Sequence, residues 1–214
     1  MNRSEARAQD APGGSRRFRG LPRQAWDFFR TLENEPCPDV MPGGDRSAYA
    51  AHVLSPLKAL ITDLRELLAD VRPPLGSEGR AGAGLDWPDG KTRDNPEDCP
   101  VRRIRLWDAG RDRDSSPLLY VTFTADHLEV GAVGPRLDPA GVERLLPRDG
   151  TWSADHDDET RVSRRLPWEP WLDEPALLQE IADDFRSLLP VFDRMRGAVP
   201  AAVAGGTGPA PRER

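Results

Sequence analysis

The chain has 214 residues, of which 37% are hydrophobic, and its 22 Pro and 19 Gly fall in particular stretches, so it reads as one domain of roughly 150 ordered residues with tails. A net charge of -6 argues against a dedicated nucleic-acid-binding protein, and no apolar run approaches the ~18 residues of a membrane span. No apolar signal segment opens the sequence, so the cytoplasm is the expected compartment.

Residues 1–20 carry five Arg against Glu5 and Asp10 with almost no apolar content, the composition of a disordered basic arm. A first helix is expected over 22–33: Pro22 suits its first turn, and Trp26, Phe29 and Leu32 recur at helical spacing. A Pro/Gly loop follows to Asp45. A second helix is expected over 47–71, capped by Asp45 or Ser47, with Tyr49, Val53, Leu57, Leu60, Ile61, Leu64, Leu67 and Leu68 on one face. Pro56 inside this run removes a backbone donor and should kink or split the helix.

Residues 73–100 form a Pro/Gly-rich insertion too long for an ordinary loop, with Trp87 as its only large apolar residue. A strand is expected at Val101–Trp107, with Ile104 and Leu106 inward and Arg103 and Arg105 on the opposite face. The stretch from Leu118 to Val133 alternates as an antiparallel hairpin turning at Ala125-Asp126. Leu119, Val121 and Phe123 share one face of its first strand; Leu128, Val130 and Ala132 share one face of its second. A short helix fits Asp138–Leu146, with Asp138 as N-cap and Pro139 at the first position. Residues 149–165 are polar and acidic around Asp155-His156-Asp157-Asp158-Glu159. The PWEPW segment leads into a last helix over 173–196, with Leu177, Ile181, Phe185, Leu188 and Phe192 on its apolar face and Pro190 inside it. From about Ala198 an Ala/Gly/Pro tail reads as disordered.

Together these elements predict an α+β fold: a small antiparallel sheet of at least three strands packed against helices 22–33, 47–71 and 173–196. Over about residues 19–196 their order resembles the bacterial family known as domain of unknown function 2461. The resemblance is carried by LPRQAWDFFRTLENE, by Tyr49-Ala-Ala-His-Val53-Leu-Ser-Pro56-Leu57, by the hairpin followed by LDPAGVERL, and by ADDFRSLLPVFDRM. It implies an α+β fold and brings no reaction with it. The chain departs from the family pattern where an Asn-Trp-Phe cluster would follow the first helix. It departs again in the polar run after the first strand, where Arg111, Asp114 and Pro117 have counterparts but the lysine is missing. His127 stands where the family has a turn glycine, a position that often needs positive φ.

The strongest polar constellation is Arg103, Arg105, Asp108, Arg111 and Asp114, joined by Arg113. Arg103 and Arg105 share a strand face, and with the loop arginines they form a possible bidentate clamp for a phosphate or carboxylate. The competing reading is an Arg/Asp network on a solvated sheet face. Asp155-His156-Asp157-Asp158-Glu159 lacks the spacing of a calcium loop or a zinc site and reads as an exposed acidic turn. His52 reads as a half-buried structural residue and His127, at the hairpin turn, as a surface residue. Cys37 and Cys99 have no framework spacing. No nucleophile elbow, Walker loop or dinucleotide fingerprint is present, so no catalytic residue, metal or cofactor is expected.

These residues point to a non-catalytic binding or accessory protein that recognises an anionic ligand or a protein partner, with neither a membrane nor nucleic acid favoured. The alternative is an enzyme on a phosphorylated or nucleic-acid substrate, with the arginines as clamp and Asp108 or Asp114 as acid/base or metal ligand. That alternative requires the Arg and Asp side chains to converge in one pocket.

Overall fold

The computed structural model describes residues 17–34, 46–77 and 102–199. The expected arm up to residue 16, most of the Pro/Gly loop with Cys37, the insertion from residue 78 with Trp87 and Cys99, and the tail from residue 200 lie outside them.

Six strands form one antiparallel sheet: β1 (Leu75–Ser77), β2 (Arg102–Asp108), β3 (Leu118–Phe123), β4 (His127–Pro135), β5 (Ser153–Asp155) and β6 (Glu159–Pro167), in the order β1-β2-β3-β4-β6-β5. The fold is α+β. The hairpin pairs Leu119 with Ala132 and Phe123 with Leu128, and its turn closes with Thr124 N–H donating to His127 O. Among the described non-glycine residues only Asp173 has a positive φ, so this turn does not need a glycine at position 127.

Four helices pack on one side. Helix α1 is Arg23–Asn34. Helix α2 runs in three pieces: α-helical Arg46–Tyr49, π-helical Ala50–Leu54 and α-helical Ser55–Leu67. The wide π turn sits immediately ahead of Pro56, where a donor is missing from the ladder. Helix α3 is Pro139–Glu143, with the Asp138 carboxylate accepting from Gly141 N–H at 2.8 Å as its cap. Helix α4 is Leu177–Ala198 and runs on through Pro190.

The inward residues of the strands are Ile104 and Leu106, Leu119, Val121 and Phe123, Leu128, Val130 and Ala132, and Val162 and Leu166. They meet Phe29, Leu57, Leu60, Leu64, Ile181, Phe185 and Phe192 from the helices in a single core. Period-two alternation puts every inward strand residue on the helix side. Trp168 is fully buried, stacked on Phe29 at 5.7 Å, with its indole N–H donating to Thr124 O at 2.9 Å. Packing begins ahead of Leu21: Phe18 is buried, and its N–H donates to Asp63. Arg186 Nη2 donates to Leu67 O at 2.6 Å and so joins α4 to the end of α2. Among the described residues no helix is long and apolar enough to cross a membrane.

The polar stretch at 149–165, to which the sequence assigns no strand, forms the β5–β6 hairpin. Its inward positions Thr160, Val162 and Leu166 alternate as a strand should, but Arg164 takes the fourth. Arg164 Nε donates to Asp184 at 2.8 Å, and its Nη2 also bonds Glu180 of α4. The guanidinium lies 5.6 Å from the Trp152 ring.

Candidate functional site: the open face of the sheet

The opposite face of the sheet carries no described helix. Strand register places its residues in cross-strand rows. Arg105, Tyr120, Gly131, Ser163 and Ser153 form one row, and Arg103, Thr122, Glu129 and Arg165 form the next. Arg161 and Asp155 pair in the row on the other side. Neighbouring strands stand about 4.8 Å apart, so the arginines of β2 and β6 start some three strand spacings from each other.

Tyr120, the cross-strand partner of Arg105, lies on a strand between them. Its ring swings across Gly131, whose missing side chain leaves the room. The phenol donates to Glu129 Oε1 at 2.7 Å. The Arg103 guanidinium stacks over the ring, 5.2 Å from its centroid, while its Nε donates to Thr122 Oγ1 at 2.9 Å. Arg161 acts electrostatically on both Arg103 and Tyr120, and Arg105 on Arg103. Tyr120 is 1% exposed although its face lacks a helix.

This packing shifts proton affinities. Burial, then the Glu129 carboxylate, pushes the Tyr120 phenol well above its ordinary value. Burial, then the like charge of Arg105, lowers the Arg103 guanidinium. Glu129 accepts from Tyr120 and lies 4.0 Å from Arg165 Nε, and the Arg165 side chain is 73% exposed. Arg105 and Arg161 make no hydrogen bond or ion pair among the described residues.

The five residues singled out from the sequence divide between two places. Arg103 and Arg105 lie on the open face. Asp108 has the parity of Ile104 and Leu106 and so turns to the helix side, where it is buried. There its carboxylate accepts from Gly110 N–H at 3.0 Å and lies 3.7 Å from Arg111 Nε and 4.0 Å from Arg196 Nη1 of α4. Asp114 lies in the 3-10 turn Arg113–Ser115 beyond. The sheet therefore separates Arg103 and Arg105 from Asp108, which keeps Arg111 and Arg196 as its neighbours.

Tyr120, Glu129, Arg161 and Arg165 were not singled out from the sequence. Tyr120 is the odd-phase residue between Leu119 and Val121, and a strand reading of ETRVSRRLP would have put Arg161, Ser163 and Arg165 on one face. Inward Arg164 broke the apolar alternation that would have prompted it.

The other polar groups have local roles. His127 Nδ1 lies 3.1 Å from both Asp126 Oδ1 and Thr124 Oγ1 within the hairpin turn. His52 sits in the π segment. No group of three or more His, Cys, Asp or Glu among the described residues could hold a metal ion. No known family model matches the chain, and no curated protein or solved structure is found similar to it.

Proposed function

We propose that this is a non-catalytic binding or accessory protein that recognises an anionic ligand or a negatively charged partner on the open face of its sheet. One observation carries the reading: Arg103 stacks over Tyr120, Arg105 on the same strand face is the cross-strand partner of that tyrosine, and the Glu129 carboxylate is already engaged by the Tyr120 phenol. The desolvated Arg103 guanidinium feels the like charge of Arg105, and an anion seated beside them relieves that repulsion while accepting charge-assisted hydrogen bonds. A bacterial, cytoplasmic setting belongs to the same proposal and rests on the sequence alone.

The test is a thermal-shift panel of phosphate, sulfate, citrate, poly-glutamate and oligonucleotides on the wild type and on Arg105→Ala/Arg161→Ala. An anion at about 100 times its Kd stabilises by about 2.7 kcal/mol, a shift readily seen in Tm. Stabilisation that disappears in the double variant supports the reading. A wild type indifferent to every anion would sink it.

A further inference from the structure

We infer that the cleft between the N-terminal segment 17–20 and helix α2 binds a small organic anion, its acidic head on Arg17 and Arg19 and its body on the helix wall. This place is separate from the open face of the sheet and does not depend on the function proposed there. Three features lead to it.

The first is the cleft and its charge. Arg17, Arg19, Ala51, Ser55, Pro56 and Ala59 line a space of about 480 Å³, inside the roughly 300–1,000 Å³ of small-molecule sites. The lining holds two guanidinium groups and no carboxylate, on a chain of net charge -6. Arg17 and Arg19 make no hydrogen bond or ion pair among the described residues. The carboxylate that does reach this segment, Asp63, accepts from the Phe18 N–H. Two uncompensated guanidinium groups at one cleft suit an anionic head that accepts charge-assisted hydrogen bonds.

The second is that the segment is held in place. Phe18 is buried in the core between the two exposed arginines, and its N–H lies 2.7 Å from Asp63 Oδ2. Leu21 is fully buried, bridges Leu172, and accepts from Asp173 N–H at 2.9 Å. Gly20 has φ +104°, and a Cβ there would stand 2.4 Å from the Asp173 carbonyl carbon. Arg17 and Arg19 therefore project from a backbone already fixed, so less ordering is left for a ligand to impose.

The third is the opposite wall, which is the π turn of α2. Ser55 N–H reaches back five residues to Ala50 O, and Pro56 has no N–H, so the Ala51 carbonyl lacks a donor at helical spacing. The residues this turn presents to the cleft are small or flat: Ala51 and Ser55 are exposed, Pro56 and Ala59 half-buried. They leave room for an apolar body beside the charged head.

The experiment is calorimetric titration of the full chain with benzoate, phenyl phosphate, acetate, inorganic phosphate and benzylamine. It is repeated on Arg17→Ala/Arg19→Ala, on Ala51→Trp, which fills the cleft from an exposed position, on Arg105→Ala of the sheet face, and on exposed Arg148→Ala. Benzoate or phenyl phosphate is expected to bind about ten-fold or more tightly than acetate or inorganic phosphate, because the ring buries apolar surface. Benzylamine, which carries the same ring with the opposite charge, should not bind. Arg17→Ala/Arg19→Ala and Ala51→Trp should each weaken the aromatic anion about ten-fold or more, and Arg148→Ala should leave it unchanged. No binding of either aromatic anion, or binding unaffected by both cleft variants, overturns the inference. Affinity that survives in Arg17→Ala/Arg19→Ala and falls in Arg105→Ala moves the anion to the sheet face and overturns it as well. Benzylamine as tight as benzoate removes the arginines from the account, and acetate as tight as benzoate removes the organic body.

Discussion

The ring of Tyr120 fills the space that a side chain on Gly131 would need: a Cβ built on Gly131 would stand 2.8 Å from Tyr120 Cζ and 2.4 Å from Val162 O. The carbonyl belongs to the neighbouring strand and cannot retreat without loosening the β4–β6 ladder. Gly131→Ala is therefore expected to cost about 1–3 kcal/mol as overpacking. It should also lift Tyr120 and the Arg103 stacked on it, so anion affinity falls with stability. Urea unfolding measures the first effect and titration with phosphate the second. A variant within about 0.5 kcal/mol of wild type would mean that the ring does not need this gap.

Tyr120→Phe isolates the phenol from the ring. The substitution keeps the surface on which Arg103 stacks and removes the 2.7 Å hydrogen bond to Glu129. Loss of a hydrogen bond to a charged acceptor costs about 1.5–3 kcal/mol when the acceptor stays buried; Glu129 keeps 18% of its side chain in solvent, so about 1 kcal/mol is expected. The larger effect should be on binding. Released from the phenol, Glu129 is free to neutralise Arg103 or Arg161 and compete with an incoming anion. Phosphate affinity should drop in Tyr120→Phe and recover in Tyr120→Phe/Glu129→Gln. Equal affinity in all three proteins would remove Glu129 from the account.

The α+β class, the hairpin and the helix faces were legible because each rests on local periodicity. Leu119, Val121 and Phe123 alternate, and Leu57, Leu60, Ile61 and Leu64 recur at helical spacing. The Asp138 cap was legible because the Asp-Pro pair encodes it within one turn. What was not legible depends on contacts distant in sequence. Arg164 is an inward charge that makes sense only once Glu180 and Asp184 stand opposite it. Half of the candidate site was visible as Arg103 and Arg105. Arg161 lies on a strand to which the polar sequence around it gave no element. Asp108 was grouped with the arginines by closeness in sequence, although a step of three residues along a strand changes face.

The Arg164 cluster carries a pH dependence. Asp184 is 5% exposed; burial raises its pKa to about 7, against the opposing pull of Arg164, and Glu180 adds to the rise. The folded pKa thus lies above the unfolded value of about 3.9, so the folded chain holds this proton across the interval between them. The contribution of Asp184 to stability is full below about pH 4 and is lost as pH rises to about 7, with no further change above. Asp184→Asn keeps an oxygen acceptor for Arg164 Nε and cannot titrate. Urea unfolding at a series of pH values should show wild type losing stability over this interval by an amount absent from Asp184→Asn. Parallel pH profiles for the two proteins would refute the assignment.

Trp168 joins two parts of the fold that are far apart in sequence, α1 and the β3–β4 hairpin. It stacks on Phe29 of α1 at 5.7 Å, lies 6.4 Å from the Phe123 ring of β3, and donates to the Thr124 carbonyl at the hairpin turn. Trp168→Ala removes a fully buried ring and should cost about 3–5 kcal/mol. Trp168→Phe retains the stacking but leaves the Thr124 carbonyl without the indole donor, a loss of about 1–3 kcal/mol. Half-buried Trp171, in the same PWEPW segment, serves as the comparison: its replacement by Ala should cost less than that of Trp168, because less of its ring leaves the core. Urea unfolding of the three variants sets the order. If Trp168→Ala is no more destabilising than Trp171→Ala, then α1 and the hairpin are held together without this ring, through the Trp26 indole bond to the Ala125 carbonyl and the Phe29–Phe123 stack instead.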